Sequence, residues 1–500
     1  MSESKPKKIY KSTDPLDKRT KWTYSLGATG RDMAYALVSM YLLIYIQYTM
    51  TLTTAQYATI SGCIVVCLIW DAINDPMMGL IIENAHFKSG KYRPWILAGM
   101  LANVVVILCL FTLRPSGWAF VGFFCVFYCL WGMTFTMNDI SYWGLLPSLT
   151  SNTKERNTLT SIMSIFCSIG QFLVAGLVPS FVVGQGVTRY RICALIVCLF
   201  FCGCQLLTYF GVRERERDDD KEKVTLKKMF HIIGRNDQLM AIGISCLLFN
   251  ICNGLLIIFG TNFFYFEFGY QTGANLIFLF TVMYGLGTLA SQALYAPLAG
   301  KFGRKAIIRV MTVCIIIGYL LFLGVGYVPF LPKNFILLDV IGFLIFFCQG
   351  LYNVNVVVML NNTIEYDEYK NHERHDSVVA AVRSFCVKLS SAINQGANAL
   401  VLIISGIYAA SQSIADLEVQ SGAGKITAEE VLTGADQFIS QVGSGQLFAL
   451  RLGIVIIPII TIILSSVIIG KKYKIDEKMY GEIVDELAKR NETAKEAKQI

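Results

Sequence analysis

The chain has 500 residues, of which 54% are hydrophobic and 16% are charged, and its formal net charge is +8. A soluble domain usually carries about 25% charged residues, so the composition excludes a soluble enzyme, a disordered chain and a secreted disulfide scaffold. Apolar runs long enough to cross a bilayer, roughly 20 residues each, recur along almost the whole sequence. The class that remains is an all-α polytopic membrane protein.

Twelve apolar runs between polar breaks predict twelve membrane-spanning helices. The runs cover roughly 24–48, 55–82, 95–113, 118–147, 158–184, 191–211, 239–267, 274–299, 307–327, 335–362, 378–409 and 447–470. Of the 43 Lys and Arg residues, 34 fall in the termini and loops that would share one side. The positive-inside rule therefore predicts a multi-pass protein of the cell membrane with both termini cytoplasmic. The net positive charge then faces anionic lipids and gives no support to nucleic-acid binding.

A charged segment at 213–238 divides the predicted spans six and six. Its second half, VTLKKMFHIIGR, has the spacing of an amphipathic helix that lies on the membrane surface. The predicted organisation is a cytoplasmic N-terminus (1–21), an N-terminal six-helix bundle (22–212), this linker, a C-terminal six-helix bundle (239–470) with an external loop (410–446), and a cytoplasmic tail (471–500). Similar loops at 86–93 and 300–305 indicate internal duplication. Two pseudo-symmetric bundles around a midplane cavity are typical of secondary transporters.

All fifteen Cys lie inside the apolar runs, and no CxxC pair occurs. We interpret them as small buried hydrophobes rather than disulfides or metal ligands. The sequence contains no Walker A, HExxH or GxSxG motif in a credible setting, so it predicts neither an enzyme nor an ATP-driven pump, and no cofactor.

Several ionisable residues lie deep in the predicted spans, where a charge costs about 2.5–3.5 kcal/mol on insertion scales. They are Asp32, Asp71, Asp75, Asp139, Arg383 and Lys388. Structural ion pairs between helices are the plain alternative for each one. Four acids against two bases leave at least two acids whose charge a mobile cation or a proton would balance.

Two of these spans carry polar side chains on a single helix face. Asp71, Asn74 and Asp75 share a face of span 2, and their hard oxygen ligands suit Na⁺, Li⁺ or H⁺. In span 4, Asp139 and Trp143 share a face with Thr136. A carboxylate that accepts hydroxyl hydrogen bonds beside an aromatic ring is chemistry that suits a sugar, and Asp32 of span 1 would add a second acid. Packing against lipid or core is the alternative for the tryptophan alone.

At these residues the chain resembles the glycoside–pentoside–hexuronide:cation symporters, the melibiose permease-like family of the major facilitator superfamily. The resemblance runs from about Trp22 to Arg490. The motifs that carry it are GRDMAY at 30–35, WDAINDPMMG at 70–79, GKYRPW at 90–95, NDISYWGLLP at 138–147, IEYDEYK at 364–370 and SFCVKLSSAI at 384–393.

The resemblance implies a role for each matching residue. The family's cation site would comprise Asp71, Asn74, Asp75 and Thr136; its substrate site would comprise Asp32, Asp139, Trp143 and Lys388, with Ser384, Asn353 and Arg383 beside them. Three positions depart from the family's sugar pocket, namely Ser164 for an arginine, Asn353 for a tryptophan and Ser39 for a tyrosine. The cation machinery is thus kept while the sugar pocket is altered. Arg383 either replaces the missing arginine or snorkels to the cytoplasmic surface.

The leading hypothesis is cation-coupled symport of a glycoside, pentoside or hexuronide by alternating access. A carrier of another amphiphile, such as a lipid or drug, is the alternative, and a receptor or scaffold that does not transport is a third. The expected partners are a small sugar and membrane lipids, with a cytoplasmic regulatory protein left open. The loop 410–446 either covers part of the cavity mouth or is an inert excursion, and Thr427 with Glu430 predicts a capped helix start within it.

Overall fold

A computed structural model describes residues 16–496 apart from 86, 88–89, 151–152, 213, 215–233 and 374–375. The amphipathic helix predicted in the linker therefore lies outside the described residues. The helices are α1 (Lys18–Ala36), α2 (Leu42–Thr49), α3 (Thr54–Asn84), α4 (Arg93–Thr112), α5 (Trp118–Leu149), α6 (Thr153–Val182), α7 (Gly186–Gly211), α8 (Asp237–Phe268), α9 (Tyr270–Phe302), α10 (Arg304–Gly324), α11 (Phe335–Asn371), α12 (Asp376–Ile404), α13 (Ile407–Gly422), α14 (Ala428–Ser440), α15 (Ser444–Lys472) and α16 (Glu477–Glu496). The described residues contain no strand, which confirms the all-α prediction.

Eleven of the described helices are long and apolar enough to cross a membrane, and they match predicted spans 2 to 12. The first predicted span is divided, because a π-helical segment, Leu37–Tyr41, separates α1 from α2. Helical structure nevertheless continues from Lys18 to Thr49. Its first part also carries the buried polar residues Arg31 and Asp32, which lower its apolar character.

The chain divides into two compact units. The first comprises Met1–Glu222 with Tyr408–Phe438, and the second comprises Lys223–Ile407 with Ile439–Ile500. Most of the loop assigned by sequence to the C-terminal bundle thus belongs to the first unit. Local sequence patterns do not predict this docking, since it depends on contacts between residues more than 200 positions apart.

The two units repeat one packing scheme. In the first unit, α1 packs on α6 and α7, α5 packs on α3 and α4, and α4 also packs on α7. In the second unit, α8 packs on α12 and α15, α11 packs on α9 and α10, and α10 also packs on α15. The same five pairings therefore occur at corresponding positions of each set of six spans, as internal duplication predicts.

In each unit, the start of the third spanning helix is capped by a Glu carboxylate that comes after the sixth spanning helix in the chain. The Glu214 carboxylate accepts hydrogen bonds from the backbone N–H groups of Lys91 (2.6 Å), Tyr92 (2.9 Å) and Arg93 (2.7 Å) at the start of α4. At the start of α10, Glu477 accepts from the Arg304 N–H at 2.5 Å. An anion at a helix N-terminus satisfies free N–H groups and interacts favourably with the helix dipole.

The 408–438 segment is held in the first unit by buried polar contacts. The Glu418 side chain is fully buried and accepts hydrogen bonds from the N–H groups of Gly184 (2.8 Å) and Gly186 (2.6 Å). The Tyr408 ring stacks on Tyr57 with 4.1 Å between ring centroids, and the Tyr408 hydroxyl donates to the Leu52 carbonyl. Because Tyr408 and Glu418 are buried, the segment is packed against the first unit and is not an inert surface loop.

The helix start predicted within this segment is present. Thr427 Oγ1 accepts from the Glu430 N–H, and the Thr427 N–H donates to the Glu430 carboxylate at 2.7 Å, just before α14. This reciprocal pair is a capping box. The Thr427 backbone N–H holds the pKa of Glu430 below its usual value.

Candidate functional site

The four predicted cation ligands lie together where α3 packs against α5. Thr136 Oγ1 of α5 donates a hydrogen bond to Asp75 Oδ1 of α3 at 3.0 Å. Asp71, one turn of α3 before Asp75, and Asn74, the residue next to Asp75, are buried with 9% and 8% exposure. Among the described residues, the buried Asn74 Nδ2 atom has no hydrogen-bond partner. An incompletely satisfied buried amide is a group that a bound ion or water would complete.

A glycine of α5 makes room for the Asp71 carboxylate. A Cβ atom added at Gly132 would lie 2.5 Å from Asp71 Oδ1 and 2.9 Å from Oδ2. Since ordinary contacts of this kind are 3.4–4 Å, no larger residue fits without moving the carboxylate. Gly132 therefore fixes how closely Asp71 approaches α5, which sequence reasoning did not detect.

The two acids assigned to the sugar share a buried arginine. Arg31 is 3% exposed, and its NH2 group lies 2.7 Å from Asp32 Oδ2. Its NH1 group forms an ion pair with Asp139 Oδ1 of α5 at 3.0 Å. The remaining Asp32 oxygen, Oδ1, accepts from Gln171 Nε2 of α6 at 3.1 Å. Asp32 is thus held on both oxygens by protein groups.

The count of four deep acids against two bases is corrected by this arginine. Arg31 is a third base within the spans, and it balances part of the charge on Asp32 and Asp139. Helical spacing does not predict the pair of Arg31 with Asp32, because adjacent residues of a helix do not face each other.

Asp139 and Trp143 are the more accessible members of the predicted substrate site. The Asp139 side chain is 33% exposed, against 12% for the Asp32 side chain. Trp143 is 42% exposed, and the Arg31 guanidinium lies 5.6 Å from its ring centroid. A ligand could therefore reach the exposed part of this side chain and the indole without displacing Arg31.

Tyr35 of α1 lies near the acids of both clusters. It interacts electrostatically with the acids of both clusters, Asp71 and Asp75 as well as Asp32 and Asp139. Its ring packs against Phe135 of α5, with 4.9 Å between centroids. Tyr35, Arg31 and Gln171 are residues that sequence reasoning missed as site members. For the first two, their place in the GRDMAY motif was the only available signal.

The second unit carries the other predicted site residues, on α11 and α12. Arg383, Ser384 and Asn353 are exposed, and Lys388 is half-buried. Arg383 interacts electrostatically with Cys246 of α8. Ser164, in the first unit, is exposed on α6 and donates to the Thr160 carbonyl at 2.9 Å. The predicted place of Lys388 in the substrate site, and the replacement of the family's arginine by Arg383, stay predictions.

A buried ionic cluster on helices long and apolar enough to cross a membrane is typical of membrane transporters. Residues 23–477 match the family model described as MFS/sugar transport protein. The chain belongs to this family of glycoside–pentoside–hexuronide:cation symporters within the major facilitator superfamily.

Relatives of this chain include named sugar carriers. It is 25% identical over 495 residues to the lactose permease of Lactobacillus helveticus, a match that covers 93% of this chain and 71% of that protein. It is 26% identical to the raffinose carrier protein of Pediococcus pentosaceus, over 77% of this chain and 62% of the carrier. It is 25% identical to the isoprimeverose transporter of Lactiplantibacillus pentosus, over 80% of this chain and 83% of that protein.

Solved structures of transporters share the fold. The D-xylose-proton symporter aligns with a TM-score of 0.58 at 15% identity, covering 86% of this chain and 98% of that one. A bacterial homologue of the human lysosomal transporter Spinster, in an inward-facing and unoccupied conformation, aligns with a TM-score of 0.59 at 13% identity, covering 91% and 97% of the two chains. These similarities confirm the major facilitator fold.

Proposed function

We propose that this protein carries a small sugar or glycoside across the cell membrane together with Na⁺, Li⁺ or H⁺. The observation that carries the proposal is the pairing of two polar clusters on α3 and α5. Asp71, Asn74, Asp75 and Thr136 present oxygen atoms within one contact region. Asp139 and Trp143, one to two turns further along α5, present a carboxylate and an indole to a ligand.

The coupling would follow from the charges. A bound cation balances carboxylates that are costly to carry through the membrane without compensation. Tyr35, which interacts with both clusters, would let occupation of one cluster influence the other. The protein residues would bind and orient both solutes, with no cofactor and no chemical reaction. The relatives that carry lactose, raffinose and isoprimeverose support a glycoside as the substrate class.

We further propose that both termini are cytoplasmic, because 34 of the 43 Lys and Arg residues fall in segments on that side. Membrane lipids would surround the spans, and a cytoplasmic regulatory protein stays open as a partner. The orientation is tested with the variant Asp476→Cys and a membrane-impermeant thiol reagent. Labelling of intact cells at this position would contradict the proposal.

The central experiment is uptake of a panel of labelled glycosides into vesicles under imposed Na⁺, Li⁺ or pH gradients. Wild type should concentrate at least one glycoside against its gradient. Asp71→Cys and Asp75→Cys should abolish that accumulation, because each removes a charged cation ligand, while exchange of substrate across the membrane continues. Normal accumulation by either variant would show that the cation site lies elsewhere.

The substrate cluster is tested by a second pair of variants. Asp139→Asn should weaken substrate binding more than cation binding, since it removes a charge-assisted hydrogen bond worth roughly 1.5–3 kcal/mol. Asp32→Asn should act in the same direction and should also disturb Arg31, which the Asp32 carboxylate holds at 2.7 Å. Unchanged substrate affinity in both variants would rule out this pocket.

A further inference from the structure

Four cysteines form two layers where α3 meets α5. Cys63 and Cys67, one turn apart on α3, have their sulfur atoms 3.9 Å apart. The Cys63 thiol also interacts with Cys125 of α5, and the Cys67 thiol interacts with Cys129. We name these four residues the thiol ladder. From the sequence we interpreted these cysteines as small buried hydrophobes rather than metal ligands, because residues about 60 positions apart on two helices have no pattern that reveals their contact.

The thiol ladder adjoins the candidate cation site. Asp71 lies one turn beyond Cys67 on α3, and Cys129 interacts electrostatically with the Asp71 carboxylate. Gly132, against which Asp71 packs, lies three residues beyond Cys129 on α5. The order along both helices is therefore two layers of sulfur followed by the carboxylate of Asp71.

The ladder is partly accessible. Cys67 is buried with 7% exposure, while Cys63, Cys125 and Cys129 are half-buried. Within the described part of the chain, no three His, Cys, Asp or Glu side chains are arranged to hold one metal ion. The ladder therefore offers no set of three such ligands for one ion, whereas an ion that accepts two sulfur ligands needs only one layer or one turn of the ladder.

We propose that the thiol ladder is a binding site for a soft, two-coordinate monovalent metal ion of the Cu⁺ and Ag⁺ class, and that occupation of the site inhibits transport. Thiolate is the preferred ligand of such ions. On binding, two S–H bonds break, two metal–sulfur bonds form and two protons pass to solvent, with no change of oxidation state. The bound ion ties α3 to α5 one turn from Asp71 and holds this carboxylate away from its cation-binding position.

The binding test uses Ag⁺ with the full-length protein in chloride-free buffer. N-ethylmaleimide labelling of individual cysteines is measured by mass spectrometry with and without Ag⁺. We expect Ag⁺ to protect the peptides that contain Cys63, Cys67, Cys125 and Cys129 at lower concentrations than it protects the other cysteines. Equal labelling of the ladder with and without Ag⁺ would overturn the proposal. This readout does not depend on transport.

The inhibition test compares two matched double variants and rests on the proposed transport function. Cys67→Ser with Cys129→Ser should raise the Ag⁺ concentration for half-inhibition of uptake at least tenfold. Cys314→Ser with Cys348→Ser removes another pair of interacting thiols, between α10 and α11, and should leave it unchanged. If the first double variant does not fold, Cys67→Ala with Cys129→Ala replaces it, since it removes the same layer of the ladder. Equal Ag⁺ sensitivity in all proteins would overturn the inhibitory role.

Failure of the two proposals can be told apart. If no glycoside is taken up by wild type, the transport proposal fails while protection of the ladder by Ag⁺ still reports metal binding. If uptake is normal but the ladder is not protected, the metal site alone is refuted.

Discussion

Replacing Gly132 by alanine tests the candidate cation site without removing any ligand. The new Cβ atom would lie 2.5 Å from Asp71 Oδ1, so the carboxylate must retreat by about 0.9 Å to reach the shortest ordinary contact of 3.4 Å. Metal ligands keep their distances within about 0.2 Å, so this displacement removes the Asp71 carboxylate as a cation ligand. Loss of one charge-assisted contact is worth roughly 1.5–3 kcal/mol. We therefore expect cation affinity to fall roughly 10- to 150-fold.

The measurement is the concentration of Na⁺, Li⁺ or H⁺ that half-activates glycoside uptake in reconstituted vesicles. Gly122→Ala is the matched control, because Gly122 lies on the same helix and an added Cβ there meets no heavy atom within 4 Å. Substrate exchange in the absence of a cation gradient shows that each variant is folded and inserted. If Gly132→Ala half-activates at the same cation concentration as Gly122→Ala, Asp71 does not bind the cation in the geometry described.

Two further predictions concern buried charges. Arg31→Met should destabilise the protein by about 3–5 kcal/mol, because it leaves Asp32 and Asp139 without their shared partner. In thermal unfolding, adding Asp32→Asn should restore part of the lost stability. A double variant no more stable than Arg31→Met alone would contradict the pairing. Glu418→Gln should cost about 1.5–3 kcal/mol for each charge-assisted bond to Gly184 or Gly186 that it weakens. Glu429→Gln, on an exposed face of the same segment, should change unfolding by less than about 0.5 kcal/mol, and equal effects of the two substitutions would refute the role of Glu418.

The spanning helices could be predicted from sequence because they depend on local composition. A run of roughly 20 apolar residues has to satisfy its backbone polar groups within itself, so its length and polarity are enough to identify a helix. The residues that share a helix face could be predicted for the same reason. The i, i+3, i+4 spacing of Asp71, Asn74 and Asp75 places them together in any α-helix, whatever packs against it.

Contacts between helices could not be predicted in this way. The ion pair of Arg31 with Asp139 joins residues 108 positions apart, and the Gln171 amide that holds Asp32 is 139 positions away from it. Neither contact has a repeating pattern that would reveal it. The thiol ladder and the space that Gly132 leaves for Asp71 depend likewise on the register of α3 against α5, which periodicity along a single helix does not determine.

The contacts of Glu418 with Gly184 and Gly186 have a consequence for biogenesis. These hydrogen bonds join residues 234 and 232 positions apart in the chain. At about 5–20 residues per second, a ribosome needs roughly 10–50 s to make the intervening chain. The N-terminal helices therefore enter the membrane long before their unit is complete. The N–H groups at the start of α7 lack their partner until Glu418, which follows α12, has been synthesised. The first unit is therefore completed only after most of the second unit has been synthesised. A chain truncated before residue 408 lacks the 408–438 segment of the first unit.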